Sequence, residues 1–314
     1  MENENVDPGS LGRVLQASQD TLRQWKERYR CSLSVLYDGD EAGSIFYWAA
    51  EEITGMPKAV ILAEMDYKVT EKERSAFAAA LQKLRQGEPV QYVFGKAYFA
   101  GLELNVGPGV LIPRPETEEL FHWASESLRK LDVAGKPCRI MDLCTGSGAL
   151  ALALASAFPD AEVYACDLST EALSIAGKNA VRLNLPVCFF CHDVLEGKLP
   201  ASVTEGKDFQ LMVSNPPYVL PSERPLMHLN VIGYEPNMAL FVKETDPLAF
   251  YRALAVMARS CLQPGGFFLA EINEAFPQEN IRLLAEAGFV DVEVRKDFRG
   301  KCRMIRGRQP FEAI

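Results

Sequence analysis

The sequence predicts an α/β protein with a mainly parallel sheet, joined to a small all-helical N-terminal domain. Three observations lead to this prediction. Strand-like and helix-like segments alternate from residue 138 onward, residues 11–86 show only helical periodicity, and a chain of 314 residues has room for about two domains. Hydrophobic residues make up 48% of the chain and charged residues 24%, so a wholly disordered protein is excluded.

The N-terminal domain is predicted from four segments in which apolar residues recur three and four positions apart. They are LGRVLQASQDTLRQW, EAGSIFYWAAEEITG, PKAVILAEM and TEKERSAFAAALQKLRQG. Gly55 and Gly87, each followed two residues later by proline, mark helix ends, and Thr70 with Glu73 forms a capping box. We expect this domain to span residues 1–90.

A β-hairpin linker is predicted over residues 91–115, because YVFGKAYF and LELNVG are rich in strand-forming residues. A helix is expected to start near Glu116, in the third predicted part, residues 116–314. Seven strands are expected there: CRIMDLC, EVYACD, PVCFFCHD, FQLMVSN, GGFFLAEI, FVDVEVRKDF and KCRMIRGR. The helices between them imply parallel strands covered on both faces, and the last two strands form an antiparallel hairpin.

Charge and the N-terminal sequence exclude several classes of protein. The net charge is -9, and a general nucleic-acid binder needs basic residues to neutralise phosphates. The start, MENENVDPGS, lacks the apolar segment of a signal peptide, and the longest small-apolar run, residues 149–158, is too short for a membrane span of about 20 residues. The eight cysteines do not form a disulfide pattern, so we expect free thiols and a cytoplasmic location.

A glycine-rich turn, in IMDLCTGSGALA, lies between the first of these strands and the next helix. Gly146, Gly148 and Ala151 fit G-x-G-x-x-G/A, and Asp167 ends the following strand. The spacing fits a dinucleotide or S-adenosylmethionine, which both carry an adenosine ribose. Asp142 is poorly placed beside a pyrophosphate, but it can face an ammonium group or hold the loop, which modestly favours S-adenosylmethionine. A glycine-rich turn that binds no ligand remains an alternative interpretation.

The fourth strand ends in Asn215, Pro216, Pro217 and Tyr218. Ligands in open α/β sheets bind outside the carboxyl ends of the strands, so this motif is expected in the same crevice as the glycine turn. The prolines stiffen the turn, Asn215 offers acceptors to a planar NH2 group, and Tyr218 can stack on a flat π-system. The pattern favours methyl transfer to an amide or exocyclic amine nitrogen, achieved mainly by proximity and without a strong base.

Several segments together resemble the HemK/PrmC family of protein-(glutamine-N5) methyltransferases, which act on class I peptide-chain release factors. They are EPVQYVFGKAYFAGLELNVGPGVLIPRPETEEL, DLCTGSGALALALA, VSNPPYV and GYEPNMAL, and the resemblance runs from about Glu88 to Arg308. It implies a class I methyltransferase (Rossmann-like) fold, S-adenosyl-L-methionine as cofactor, and release factors as the protein partner. It also implies that the N-terminal domain recognises the substrate. We expect no membrane association, because no apolar run is long enough to span a membrane, and no direct nucleic-acid substrate, because the chain is acidic and its N-terminal domain is helical rather than basic.

The resemblance further implies the site residues. Asn215, Pro216 and Tyr218 are expected to be catalytic and, with Pro217, to hold the substrate glutamine. Arg114 and Glu116 are expected near the mouth of the site. The family usually has glycine at the position of Cys144, so we expect altered cofactor affinity rather than lost binding. The expected cofactor-binding residues are Asp142, Cys144, Thr145, Gly146, Ser147, Gly148, Asp167, Asp193, Val194 and Asn215.

Several alternatives stay open. The substrate can be a glutamine of a ribosomal protein or an amino group of a nucleic-acid base, or the protein can bind cofactor without turnover. Cys188 and Cys191 match C-x-x-C-H, but residues three apart on a strand point to opposite faces, and the three histidines are scattered, so no metal site is predicted. The basic stretch 295–308 is expected to be a solvated face, with an RNA or acidic partner as the alternative.

Overall fold

The computed structural model describes residues 20–131, 138–204 and 208–311. The chain divides into two compact units, Met1–Phe94 and Gly95–Ile314. The boundary lies four residues beyond the predicted one and assigns the hairpin to the second unit. Among the described ranges, no helix is both long and apolar enough to cross a membrane.

The first unit is helical, as predicted. Thr21 and Thr70 each form a capping box, with Gln24 and Glu73 respectively, and Gly55 ends a helix in the left-handed conformation at φ 70°. The core of this unit is built on aromatic rings that pack edge-on and stacked, among them Trp25, Tyr29, Phe46 and Phe77. Its helices are α1 (Leu22–Leu33), α2 (Gly39–Thr54), α3 (Lys58–Ala63), α4 (Glu71–Arg85) and α5 (Val90–Phe94).

Two sequence predictions in this unit need revision. The predicted helix over residues 11–25 lies largely outside the described residues, and within them it begins only at Leu22 because Thr21 is its N-cap. The YVF part of the first predicted strand is helical, in α5. Pro89 explains this difference, because its carbonyl accepts from the amides of Tyr92 and Val93 at 2.9 and 3.0 Å, which closes a helical turn.

The second unit begins with an antiparallel hairpin and continues as a doubly covered α/β sheet. The hairpin strands are β1 (Lys96–Phe99) and β2 (Leu102–Asn105). The sheet strands are β3 (Arg139–Leu143), β4 (Glu162–Asp167), β5 (Val187–Cys191), β6 (Phe209–Ser214), β7 (Leu262–Glu271), β8 (Val290–Lys296) and β9 (Cys302–Arg308). The helices are α6 (Pro115–Arg129), α7 (Ala149–Ala157), α8 (Thr170–Leu183), α9 (Ala201–Thr204), α10 (Leu229–Tyr234), α11 (Asn237–Leu240), α12 (Ala249–Cys261) and α13 (Pro277–Glu286).

The sheet confirms the predicted seven-stranded class I methyltransferase architecture. Its order is β5-β4-β3-β6-β7-β9-β8, with the first five strands parallel and β9 antiparallel to both β7 and β8. Neighbouring β3 residues face opposite layers. Ile140 packs with α6 and α7, whereas Met141 packs with α12 and α13. Both faces are therefore buried, and the carboxyl ends of β3, β4, β5, β6 and β7 meet at one edge.

Candidate active site

Asp142, near the end of β3, organises the glycine turn. Its carboxylate is fully buried, and Oδ2 accepts from Thr145 Oγ1 at 2.6 Å and from the Ala151 amide at 3.1 Å. Oδ1 is buried without a hydrogen-bond partner in the described part of the chain. Burial raises the pKa of Asp142 to about 7. The turn thus encloses an unused acceptor that a bound donor can satisfy.

Two further carboxylates end the neighbouring strands. Asp167, at the end of β4, accepts from the amides of Gly146 and Ser169, each at 2.9 Å, and burial raises its pKa. Asp193, just after β5, accepts from the Leu195 amide at 2.9 Å and caps a short 3-10 turn. These bonds fix the side chains while leaving each carboxylate further lone pairs for a ligand.

A cavity of about 1050 Å³, part of it open to solvent, lies against these turns. The mixture of apolar walls with a few polar groups is typical of small-molecule sites. Nine of the ten predicted cofactor-binding residues line it, namely Asp142, Cys144, Thr145, Gly146, Ser147, Asp167, Asp193, Val194 and Asn215. The tenth, Gly148, is not among the lining residues.

Gly148 instead allows two helices to approach each other. It precedes α7 at φ 85°, and a Cβ there would lie 3.1 Å from Ala176 Cβ and Leu152 Cδ1.

Cys144 also has a positive φ, 61°, an uncommon conformation for a residue with a side chain. Burial raises the pKa of the Cys144 thiol well above its usual value, so it is a poor nucleophile.

The Asn-Pro-Pro-Tyr motif follows β6 and stands between two cavities. Asn215 lines both the large cavity and a smaller one of about 310 Å³, while Pro217 lines the large cavity and Pro216 and Tyr218 line the small one. Arg114 also lines both. Two residues of the motif, Asn215 and Pro217, therefore lie in the crevice of the glycine turn as expected, whereas Pro216 and Tyr218 line only the smaller cavity beside it.

The motif is held from behind by buried polar groups. Asn215 Nδ2 donates to Thr117 Oγ1 at 3.0 Å, and the Thr117 hydroxyl donates to Glu271 Oε2 at 2.7 Å. The hydroxyl of Tyr218 donates to the other oxygen, Oε1, at 2.6 Å. The Thr117 and Glu271 side chains are almost completely buried, so this network is shielded from water.

Arg114 and Glu116, both predicted near the mouth, differ in position. Arg114 Nη2 donates to the buried carboxylate of Glu235 at 2.6 Å, and the Ile112 amide donates to the other Glu235 oxygen at 3.0 Å. Glu116 is not a lining residue of either cavity and lies 3.9 Å from Arg299. Glu235 thus ties the loop before α6 to the segment around α10 and α11.

Sequence reasoning missed three residues of this site. Glu271 carried a usable signal, because a lone carboxylate at the carboxyl end of an apolar strand is expected to face the crevice. Glu235 lies in GYEPNMAL, whose residues had no assigned role. Thr117 carried no signal, since a threonine in the first turn of a helix is commonplace.

Comparison with known proteins identifies two matching family models. The model described as "PrmC N-terminal domain" matches residues 30–95, and "Methyltransferase small domain" matches residues 125–232. A release factor glutamine methyltransferase from Flavobacterium psychrophilum is 34% identical over 287 residues, which cover 91% of this chain and 98% of that protein. Another, from Bacteroides thetaiotaomicron, is 38% identical over 278 residues, covering 88% and 96%.

A solved structure of the protein-(glutamine-N5) methyltransferase (release factor-specific) from Alicyclobacillus acidocaldarius is 29% identical. It matches with a TM-score of 0.40, over 66% of this chain and 99% of that one.

Proposed function

Because the chain belongs to the release factor glutamine methyltransferase family, we propose that it transfers a methyl group from S-adenosylmethionine to the glutamine side-chain amide nitrogen in the Gly-Gly-Gln motif of class I peptide-chain release factors. The observation that carries this proposal is the position of Asn215 between the two cavities. A cofactor in one chamber and a planar amide in the other would meet at this residue. Such a juxtaposition is what proximity catalysis requires.

The large cavity fits S-adenosylmethionine, which supplies an electrophilic methyl group on a sulfonium. Asp142 keeps a buried oxygen that has no hydrogen-bond partner among the described residues, which suits the ammonium of the methionine part. We assign Asp167 to the ribose hydroxyls and Asp193, with Val194, to the adenine. The described lining includes these three carboxylates and one arginine, Arg114, a charge balance that disfavours the pyrophosphate of a dinucleotide. The other residues assigned to the cofactor are Cys144, Thr145, Gly146, Ser147 and Asn215.

The small cavity fits the amide end of a glutamine. Pro216 and Tyr218 offer rigid walls against which a planar group can lie, and the Asn215 side chain carries an acceptor for its N–H bonds. Acceptors on those N–H bonds favour the positive charge that develops on nitrogen as the methyl group arrives. We assign Asn215, Pro216 and Tyr218 to catalysis and, with Pro217, to substrate binding.

The partner and the location follow from the same proposal. We assign the helical N-terminal unit to recognition of the release factor, consistent with the match of residues 30–95, nearly all of which lie in this unit, to the N-terminal family model. All eight cysteines are free thiols, which suits the reducing cytoplasm, and we place the reaction there.

Mass spectrometry of a release factor incubated with the protein and S-adenosylmethionine tests the proposal. We expect one added methyl group on the glutamine of the Gly-Gly-Gln motif. A ribosomal protein and a nucleic acid, incubated in parallel, are the competing substrates. Modification of either in preference to the release factor, or no transfer at all beside an active reference enzyme, would overturn the proposal.

The substitution Asn215→Ala separates turnover from binding. Removing an acceptor that acts on the reacting nitrogen is expected to lower kcat by roughly 100- to 1000-fold. The Kd for the cofactor, measured by calorimetry, should change little, because several other residues line that cavity. Gln278→Ala, which removes an exposed side-chain amide from α13, is the matched control. An unchanged kcat in Asn215→Ala would contradict the assigned role.

A further inference from the structure

Glu271, the last residue of β7, holds two parts of the site at once. Its side chain is 1% exposed, and each carboxylate oxygen accepts one hydroxyl, from Thr117 at 2.7 Å and from Tyr218 at 2.6 Å. Thr117 belongs to α6 and Tyr218 to the turn after β6, so one carboxylate joins three elements. Glu271 also lines the small cavity.

The direction of these hydrogen bonds determines how Asn215 is oriented. Thr117 has a single hydroxyl hydrogen, which it gives to Glu271, so its oxygen can only accept from Asn215. Asn215 must therefore turn Nδ2 toward Thr117, and the two atoms lie 3.0 Å apart. The other amide atom, the acceptor Oδ1, is then turned away from Thr117, and Asn215 lines both cavities.

We propose that Glu271 is a positioning residue that makes the site selective for a substrate with N–H donors. Through Thr117 it fixes Asn215 with its acceptor toward the substrate, and through Tyr218 it holds the wall of the small cavity. This inference rests on the proposed function and deepens it. A side chain that matches glutamine in shape but offers only a carbonyl oxygen would leave the Asn215 acceptor unsatisfied, and such mismatches are strongly rejected.

The charge of Glu271 gives the inference a pH signature. Ionisable groups on the surrounding elements face it, with Arg303 of β9 attracting its negative charge and Glu116 of α6 repelling it. Tyr218 and Tyr251 of α12 are neutral at ordinary pH because their pKa values are raised. Burial raises the pKa of Glu271 above its usual value. The acceptor form is thus present above that raised pKa and is lost as the pH falls through it.

Two isosteric substitutions test the chain of bonds. A glutamine at position 271 can accept only one of the two hydroxyls, so Glu271→Gln forces the other to turn, and kcat should fall by roughly 10- to 100-fold. Thr117→Val removes the link to Asn215 and should lower kcat similarly, whereas Thr117→Ser keeps the hydroxyl and should recover most of it. Glu274→Gln, at an exposed carboxylate three residues along the chain, is the matched control and should behave as wild type.

The measurements are kcat on a Gly-Gly-Gln peptide with saturating cofactor, the cofactor Kd by calorimetry, and the pH profile of kcat. We expect an unchanged Kd in all variants, an acidic fall of kcat in the wild type, and the loss of that fall in Glu271→Gln. If the wild-type protein methylates the peptide and the variants keep its kcat and pH profile, the inference is overturned but the proposed function stands. A wild-type protein that transfers no methyl group would contradict the proposed function itself.

A wild-type experiment covers the case in which the variants do not fold. A peptide carrying the methyl-ketone isostere of glutamine has the same shape but no N–H donor. It should inhibit with a Ki at least roughly tenfold above that of a glutamine peptide in which N5 is already methylated and one N–H donor remains. Equal inhibition by the two peptides would overturn the inference.

Discussion

Asp142 has surroundings that conflict with its charge. One oxygen is well satisfied by the glycine turn, whereas the other is buried without a partner in the described residues. Both proposed roles, an anion facing an ammonium group and a support for the loop, are compatible with this geometry. A buried carboxylate oxygen without a hydrogen-bond donor is expected in a site that binds a cationic ligand, because the bound ligand would donate to the oxygen that folding leaves unsatisfied.

Asp142→Asn should separate stability from binding. Burial raises the pKa of Asp142 from 3.8 to about 7 in the folded protein, so the folded state holds this proton more tightly than the unfolded state does. The contribution of Asp142 to the stability of the wild-type protein is therefore greatest below pH 3.8, and it is lost as the pH rises through about 7. An asparagine at this position does not titrate and so does not lose stability in this way. Between about pH 5 and about pH 8, the unfolding free energy of the variant should therefore rise by on the order of 2–4 kcal/mol relative to that of wild type. Its affinity for S-adenosylmethionine should fall roughly tenfold.

Melting curves at both pH values and calorimetry with the cofactor check this expectation. Asp160→Asn, on the exposed turn between α7 and β4, is the matched control. Parallel melting curves for Asp142→Asn and wild type across the pH range would contradict the argument.

From the sequence, side chains that directly follow a strand could be predicted to lie at one edge of the sheet, whereas contacts with partners distant in the chain could not. The motif residues reach the cavity walls because parallel strands end at one edge of the sheet. The contact between Asn215 and Thr117 and its link to Glu271 depend on strand order. Ser214 pairs with Ala270 in the β6–β7 register, which sets the next residues, Asn215 and Glu271, side by side. No local pattern encodes that register.

The ion pairs of the C-terminal hairpin, β8 and β9, could not be predicted from the sequence either, because some of the partners are distant in the chain. The basic run of the hairpin was expected to be a solvated face, but six of its cations lie within ion-pair distance of carboxylates. Some of the acids lie on the hairpin itself and others on α6 or after β7, so the sequence alone does not reveal the neutralisation. The pairs are Arg295 with Glu126 and Glu293, Arg299 with Glu116, Lys301 with Glu274, Arg303 with Glu274 and Asp297, Arg306 with Glu293, and Arg308 with Asp291.

The loop before α6 depends on one buried acid from a distant element. Glu235 accepts from the Ile112 amide and from Arg114, so Glu235→Ala would leave both donors without this partner. We expect the unfolding free energy to fall by about 2–4 kcal/mol and the amides of residues 107–114 to exchange faster. Hydrogen-exchange mass spectrometry measures the local effect directly.

Glu279→Ala is the control for this element. Glu279 forms a surface ion pair with Arg282 on α13, and such pairs contribute less than about 1 kcal/mol. If exchange in the loop does not accelerate in Glu235→Ala, then Glu235 does not hold the loop and the rim of the cavities is fixed by other contacts.

At the scale of the whole molecule, composition and periodicity predicted two parts, one helical and one α/β. The helical part has an aromatic core of its own, and the α/β part buries apolar residues on both faces of its sheet. The exact boundary between the two units was harder to predict, because residues 90–94 are mostly strand-forming types but form a helix after Pro89. Net charge predicted least, since -9 for the chain describes neither the acidic lining of the cavity nor the neutralised hairpin.

The separation into units leads to a final prediction. The described residues that line the two cavities all lie within Gly95–Ile314, so this fragment should bind S-adenosylmethionine with nearly the Kd of the full chain. If the helical unit recognises the release factor, the fragment should methylate a short Gly-Gly-Gln peptide almost as well as the full chain does. Its kcat/KM on the intact factor should fall by roughly 100-fold or more, since the binding energy of a docking surface is lost. Equal loss on peptide and protein would instead assign the helical unit to the stability of the catalytic unit.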